Sequence, residues 1–202
     1  MASERLERQI EFILEVDRLK SVMRRSYLLN GERHENSAEH SWHLAMMAMV
    51  LAEHASEPVD VCRVVMMVLI HDVVEIDAGD TFVYDAAANG GKAEREARAA
   101  ARIYGLLPGD QGRELLELWR EFEAAETADA RFAAALDRMM PILHNVHTGG
   151  RAWREHGITA EQVLSLNARM GRGSETLWAY VRGLIGRAVA DGVLPAGPPP
   201  EA

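Results

Sequence analysis

The sequence predicts an all-α fold in a single domain, and three observations lead there. Apolar residues recur at helical spacing along nearly every segment, and no run alternates with the period of a strand. A chain of 202 residues suffices for one well-buried domain and is short for two. Its composition, 48% hydrophobic and 26% charged, is that of an ordinary globular protein without internal repeats.

The elements follow in order. Leu6, Ile10, Ile13 and Leu14 begin the apolar stripe of a first helix, which Val16 and Leu19 broaden. SYLLNGERHENSA is polar with Asn-Gly at its centre and reads as a loop. A second helix, rich in Ala and Met, is expected over residues 38–54. Asp60 suits the N-cap of a third, ending near residues 74–77. The stretch DAGDTFVYDAAANGGK is the longest irregular segment, and such loops in compact domains often carry function. Residues 92–104, 110–125 and 129–146 read as three more helices, with Pro141 expected to kink the last, one turn after Asp137. Thr159 and Gln162 match a capping box that opens another helix, and residues 174–191 form the final one. The domain is thus expected to span residues 1–194, with a disordered Pro-rich tail over 195–202.

The net charge of −9 argues against binding a nucleic-acid polymer, which needs clustered Lys and Arg. It leaves room for a small anion, because a metal and a few arginines make a local positive site. Cys62 is the single cysteine, so no internal disulfide exists; its helical apolar position predicts a packed thiol. The N-terminal MASERLERQIEFILEVDRLK has no signal-peptide core, and no apolar run is long enough to span a bilayer. A cytoplasmic protein without membrane partners is the expectation. The Met stripe of Met46, Met47, Met49, Met66 and Met67 is read as core packing.

Four residues carry chemistry. His40, His71, Asp72 and Asp137 stand in the order H…HD…D, each within a helical stretch. Imidazole nitrogens and carboxylate oxygens are what a borderline divalent metal takes as ligands. Asp72 ends an apolar helix and Asp137 sits within ARFAAALDRMMPIL, so each carboxylate needs a partner. Glu75 lies four residues after His71 and shares its face, whereas Asp72 is rotated by roughly 100°. Three helices meeting at one point would bring the four residues together. His43 is expected to be packed or half-exposed, and Pro141 leaves the direction of His144 open.

ENSAEHSWHLA, LIHDVVEIDAGDT and LDRMMPIL resemble the HD-domain metal-dependent phosphohydrolases, and within them the branch of the 5′-deoxynucleotidases. The resemblance runs from about Phe12 to Ile142 and implies a helical HD-domain bundle. It implies one divalent cation per chain held by His40, His71, Asp72 and Asp137, a ligand mixture that Mn, Co, Zn and Fe(II) all accept. It makes Glu75 the acid/base residue that orients a water, and Asp80 a nucleoside contact. Arg24, or else Arg33, would meet the substrate phosphate. The implied substrate is a small phosphorylated metabolite such as a (deoxy)nucleoside 5′-monophosphate, and a homodimer is expected. Two departures fall where sugar and base would be read: Arg25 replaces the family's tryptophan, and Thr81-Phe82 replaces its Leu-Pro.

The same residues support this chemistry directly. A divalent metal polarises a phosphoryl oxygen, a carboxylate one turn away accepts a proton, and a guanidinium fork suits phosphate. Two other readings stand beside it. A regulatory HD module without turnover is disfavoured by the complete H…HD…D set with Glu75. A di-iron oxygenase is disfavoured because no histidine lies between Asp72 and Asp137.

Overall fold

The computed structural model describes residues 3–85 and 89–197. The first helix, α1 (Glu4–Val16), is capped by the Ser3 hydroxyl, which accepts from the Leu6 amide. After a 3-10 turn at Asp17–Ser21 come two short antiparallel strands, β1 (Met23–Tyr27) and β2 (His34–Asn36), with Met23 opposite Asn36 and Tyr27 opposite His34. The helix α2 (Ser37–Leu51) opens on a capping box of Asn36 and Glu39. Asp60 caps α3 (Val61–Ile70). The chain then tightens into a 3-10 turn at His71–Val74 and ends in the short α4 (Glu75–Ala78). Gly79 closes it with φ +74°, a backbone state that L side chains rarely adopt.

Further along are α5 (Lys92–Tyr104), α6 (Gly109–Ala124) and α7 (Ala128–His147). The shorter α8 (Arg151–Glu155), α9 (Ala160–Asn167) and α10 (Met170–Gly173) lead into α11 (Glu175–Ala190). The capping box expected at Thr159 and Gln162 opens α9. The helix α7 runs on through Pro141. Proline lacks an amide hydrogen, so the carbonyl of Asp137 loses its helical donor at the turn that carries that carboxylate.

Two apolar cores form. In one, Leu44 and Ala48 of α2 meet Val64, Met67 and Val68 of α3, Phe132 and Leu136 of α7, and Val181 and Ile185 of α11. In the other, Phe12 of α1 and Leu19 meet Val73, Val74, Ile103, Tyr104 and Trp119. The His71–Val74 turn lies between them, because α3 feeds the first core and Val73 and Val74 feed the second. Tyr104, 1% exposed, donates its hydroxyl to the Ile70 carbonyl at 2.9 Å, one residue before His71.

Several expectations need correction. The segment read as a loop contains β2 and the end of β1, although Asn30-Gly31 does form its turn, with φ +72° at Gly31. The burial of β1 does not alternate, so no strand period was visible; Tyr27 is held instead by Glu155 and by Arg151 over its ring. Cys62 is exposed, not packed. Of the Met stripe, Met47 and Met67 are buried, whereas Met46, Met49 and Met66 face outward. The first helix buries Phe12 and leaves Leu6, Ile10, Ile13 and Leu14 exposed. The carbonyls of Pro195 and Ala196 accept from the amides of Ala160 and Glu161, so bonded chain extends past residue 194; residues 198–202 lie outside the described residues.

Candidate metal centre and its cavity

The centre forms where α2, the turn after α3, and α7 converge. His40 projects from the second turn of α2 and is fully buried. His71 and Asp72 occupy the 3-10 turn, 4% and 8% exposed. One donor atom from each of these three residues lies within 4.8 Å of the others. Asp137 comes from α7, with Oδ1 at 2.9 Å from His40 Nε2 and 3.6 Å from His71 Nε2. Asp72 Oδ1 is 3.0 Å from His71 Nε2. The four residues selected from sequence therefore face one point.

The donor chemistry fits a divalent metal. Both histidines turn Nε2 toward the carboxylates, and His71 Nε2 is buried without a hydrogen-bond partner among the described residues. His71 Nδ1 faces the Val68 carbonyl at 2.9 Å, which fixes the ring and the tautomer that offers Nε2. Two imidazoles and two carboxylates are able to hold such an ion.

Protonation follows the crowding of charge. Burial opposes a charge on His71, but Asp72 and Asp137 outweigh it and raise its pKa to about 9. Burial also works against ionising Asp137, yet its contacts with His40 and His71 hold its carboxyl well below the usual range. Glu75 is 6% exposed and accepts from the Ser37 hydroxyl at 2.7 Å. Burial first, and then the Asp72 charge, push its carboxyl up to about 8.

Arg24, on β1, joins this cluster. Its Nη1 donates to Asp72 Oδ2 at 2.7 Å and lies 4.0 Å from Glu75 and 3.9 Å from Asp80; its Nη2 is 4.0 Å from Asp137. Burial opposes its charge, but these carboxylates together raise its pKa above the ordinary value. Asp80 follows Gly79 at the end of α4 and is half-buried, with its pKa raised chiefly by burial. Arg33 stands apart. It is exposed, grips Glu39 with both arms at 2.8 and 2.6 Å, and does not line the cavity described next.

A cavity of about 190 Å³ opens from the centre. Arg24, Asp72, Glu75, Asp80 and Asp137 form its floor, and Arg25, Phe82, Tyr84 and Trp153 are among its walls. A second cavity of about 200 Å³ also reaches the centre, lined by Lys92, Glu96, Glu123 and Arg138 beside His71, Asp72 and Asp137. Sequence reasoning missed Ser37, Glu35, Lys92 and Trp153. The first two lie inside the quoted ENSAEHS string, where proximity to His40 was the available signal. Lys92 and Trp153 reach the site through tertiary packing alone.

Comparison with known proteins agrees with this geometry. A sequence model of the family described as HD domain matches residues 16–178. The chain is similar to human 5′-deoxynucleotidase HDDC2, 35% identical over 135 residues, which are 66% of this chain and 65% of that protein. It thus spans slightly less than two thirds of that relative's length. A crystal structure of a predicted metal-dependent phosphohydrolase from Magnetospirillum magnetotacticum MS-1 superposes with a TM-score of 0.91 at 53% identity, covering 95% of this chain and 96% of that one. A conserved hypothetical protein from Pyrococcus furiosus, 22% identical with a TM-score of 0.61, covers 90% of this chain and 99% of its own, and shows the shared fold alone. The converging H…HD…D quartet and the family match over most of its length place the chain in the HD-domain family.

Proposed function

We propose that the chain is a metal-dependent phosphohydrolase that removes phosphate from a small phosphorylated metabolite, in particular a (deoxy)nucleoside 5′-monophosphate. The observation that carries this reading is Arg24: one half-buried guanidinium joins the metal quartet to the cavity, within 2.7–4.0 Å of Asp72, Glu75, Asp80 and Asp137. A phosphate entering there would exchange carboxylate contacts for its own, and the planar fork suits two of its oxygens. His40, His71, Asp72 and Asp137 would hold one divalent ion, which supplies Lewis-acid polarisation of a phosphoryl oxygen and of water.

Glu75 is placed to take the proton. As water forms its new bond to phosphorus, that proton passes to the Glu75 carboxylate. As the bond from phosphorus to the 5′-oxygen breaks, the same proton neutralises the leaving alkoxide. A carboxyl with a pKa near neutrality serves both steps, and Ser37 holds its other oxygen. Phe82, Tyr84 and Trp153 give the cavity flat apolar walls suited to a base, and Asp80 stands where a sugar hydroxyl could donate to it.

The test is a metal-by-substrate screen on protein purified without chelator. Metal-dependent phosphate release from nucleoside monophosphates is the expected result. Nucleotide binding without release would instead support the regulatory module. Iron with oxygen consumption would support the oxygenase.

The chain is further proposed to act in the cytoplasm as a homodimer. Exposed apolar stripes support the pairing: Trp42, Met46, Met49 and Val50 on α2, with Met66 and Leu69 on the adjacent α3. No helix among the described residues is long and apolar enough to cross a membrane. A monomeric mass by light scattering would contradict the dimer.

A further inference from the structure

Glu35 has no part in the reaction as described, yet it is among the most buried side chains of the molecule, 1% exposed in the middle of β2. A carboxylate is costly to bury unless its charge is met. Its Oε2 lies 3.4 Å from His40 Nδ1, 3.9 Å from Arg24 Nε and 4.0 Å from His144 Nδ1. All four atoms are buried, and none has a hydrogen-bond partner among the described residues, so these charge contacts are what each of them has to face. Two of these nitrogens sit on the far side of their groups from the metal centre. His40 turns Nε2 toward Asp72 and Asp137, and Arg24 turns Nη1 and Nη2 toward the same carboxylates.

The pairing with His40 has a chemical consequence. A neutral imidazole offers Nε2 to a metal only when its proton sits on Nδ1. In His71 the Val68 carbonyl selects that tautomer. In His40 the group facing Nδ1 is Glu35. We infer that Glu35 is the positioning residue of the centre, fixing His40 as the Nδ1–H tautomer and holding Arg24 by Nε. One carboxylate thereby aims both a metal ligand and the phosphate-facing fork. The Arg24 half of this inference rests on the proposed phosphohydrolase reading; the His40 half rests on metal binding alone.

A competing arrangement exists. Glu35, His43 and His144 each offer one atom within 4.8 Å of the others, a set able to take an ion of its own. The position of Glu35 Oε2 favours positioning over ligation, because the same oxygen faces a guanidinium that would repel a second cation.

Zinc binding to the full chain tests the inference. Competition with a chromophoric chelator should give one equivalent of zinc in wild type. Glu35→Gln should bind it about ten- to a hundredfold more weakly, and Glu35→Ala more weakly still, because the amide oxygen still accepts from Nδ1. Nitrogen-15 NMR of the zinc-loaded wild type should show the His40 proton on Nδ1. Should Glu35→Ala fail to fold, the nearly isosteric Gln variant decides. Unchanged zinc affinity in a folded Glu35→Gln protein would overturn the inference, as would His40 carrying its proton on Nε2. Two equivalents in wild type falling to one in Glu35→Gln would make Glu35 a ligand and also overturn it. A protein that releases no phosphate would defeat the functional reading while leaving the zinc result intact.

Discussion

Burial and the Asp72 charge push the Glu75 carboxyl up to about 8, close enough to neutrality for its ionised form to accept a proton and its acid form to return one. Its replacement should separate chemistry from binding. Glu75→Ala is expected to retain metal and substrate affinity while turnover falls by about a hundredfold or more, the usual worth of a positioned proton carrier. Near-native turnover would remove Glu75 from the mechanism. His71 supplies the pH dependence. Its pKa is raised from 6.5 to about 9, so the proton favours the metal-free fold below 6.5, and that contribution is lost as pH rises through 9. Metal uptake runs the other way, because a ligand imidazole must be neutral. Zinc affinity should therefore rise with pH, about tenfold per unit from neutrality toward 9 for one displaced proton, and a flat profile in chelator competition would contradict it. Arg25 lines the cavity where the resembling deoxynucleotidases carry tryptophan. Discrimination between deoxy- and ribonucleotides is accordingly expected to stay below about a hundredfold, or about 2.7 kcal/mol, in kcat/KM. At this scale the convergence of His40, His71, Asp72 and Asp137 was most legible, since polar side chains within apolar helices need partners. It could not choose between Arg24 and Arg33. Both are arginines near the same motif, and it is the hairpin that turns one inward and leaves the other on Glu39.

The 3-10 turn at His71–Val74 is the element that builds the centre. Continuing as regular α-helix, α3 would carry Val73 and Val74 away from the second core; tightening lets them dock there while His71 and Asp72 stay between the cores. Tyr104 secures that junction from α5 through the Ile70 carbonyl. Tyr104→Phe should cost about 1 kcal/mol in denaturant unfolding, the net worth of one hydrogen bond. It should also weaken metal binding, whereas an unchanged unfolding midpoint would show that the bond does not support the turn. Helix starts at Asp60 and Thr159 were legible because a capping side chain meets the free amides of each first turn. The hairpin was not, because β1 has no alternating face and is held by Glu155 and Arg151, more than a hundred residues away. The outward stripes on α1, α2 and α3 misled for a related reason: periodicity shows that a helix has an apolar face, not what covers it.

For the whole molecule, the metal centre is a joint between two cores, so a bound ion should stabilise the fold as a unit through mass action. Helical class was readable from the apolar period; the two cavities were not, since each is lined by side chains from distant segments. His40, His71, Asp72 and Asp137 are proposed to hold one divalent ion per chain. Elemental analysis of wild type and His71→Ala, both purified without chelator and compared by circular dichroism, tests it most directly. The expected result is one equivalent in wild type, none in His71→Ala, and nearly equal helix content. A full equivalent retained by folded His71→Ala, or two equivalents in wild type, would contradict it.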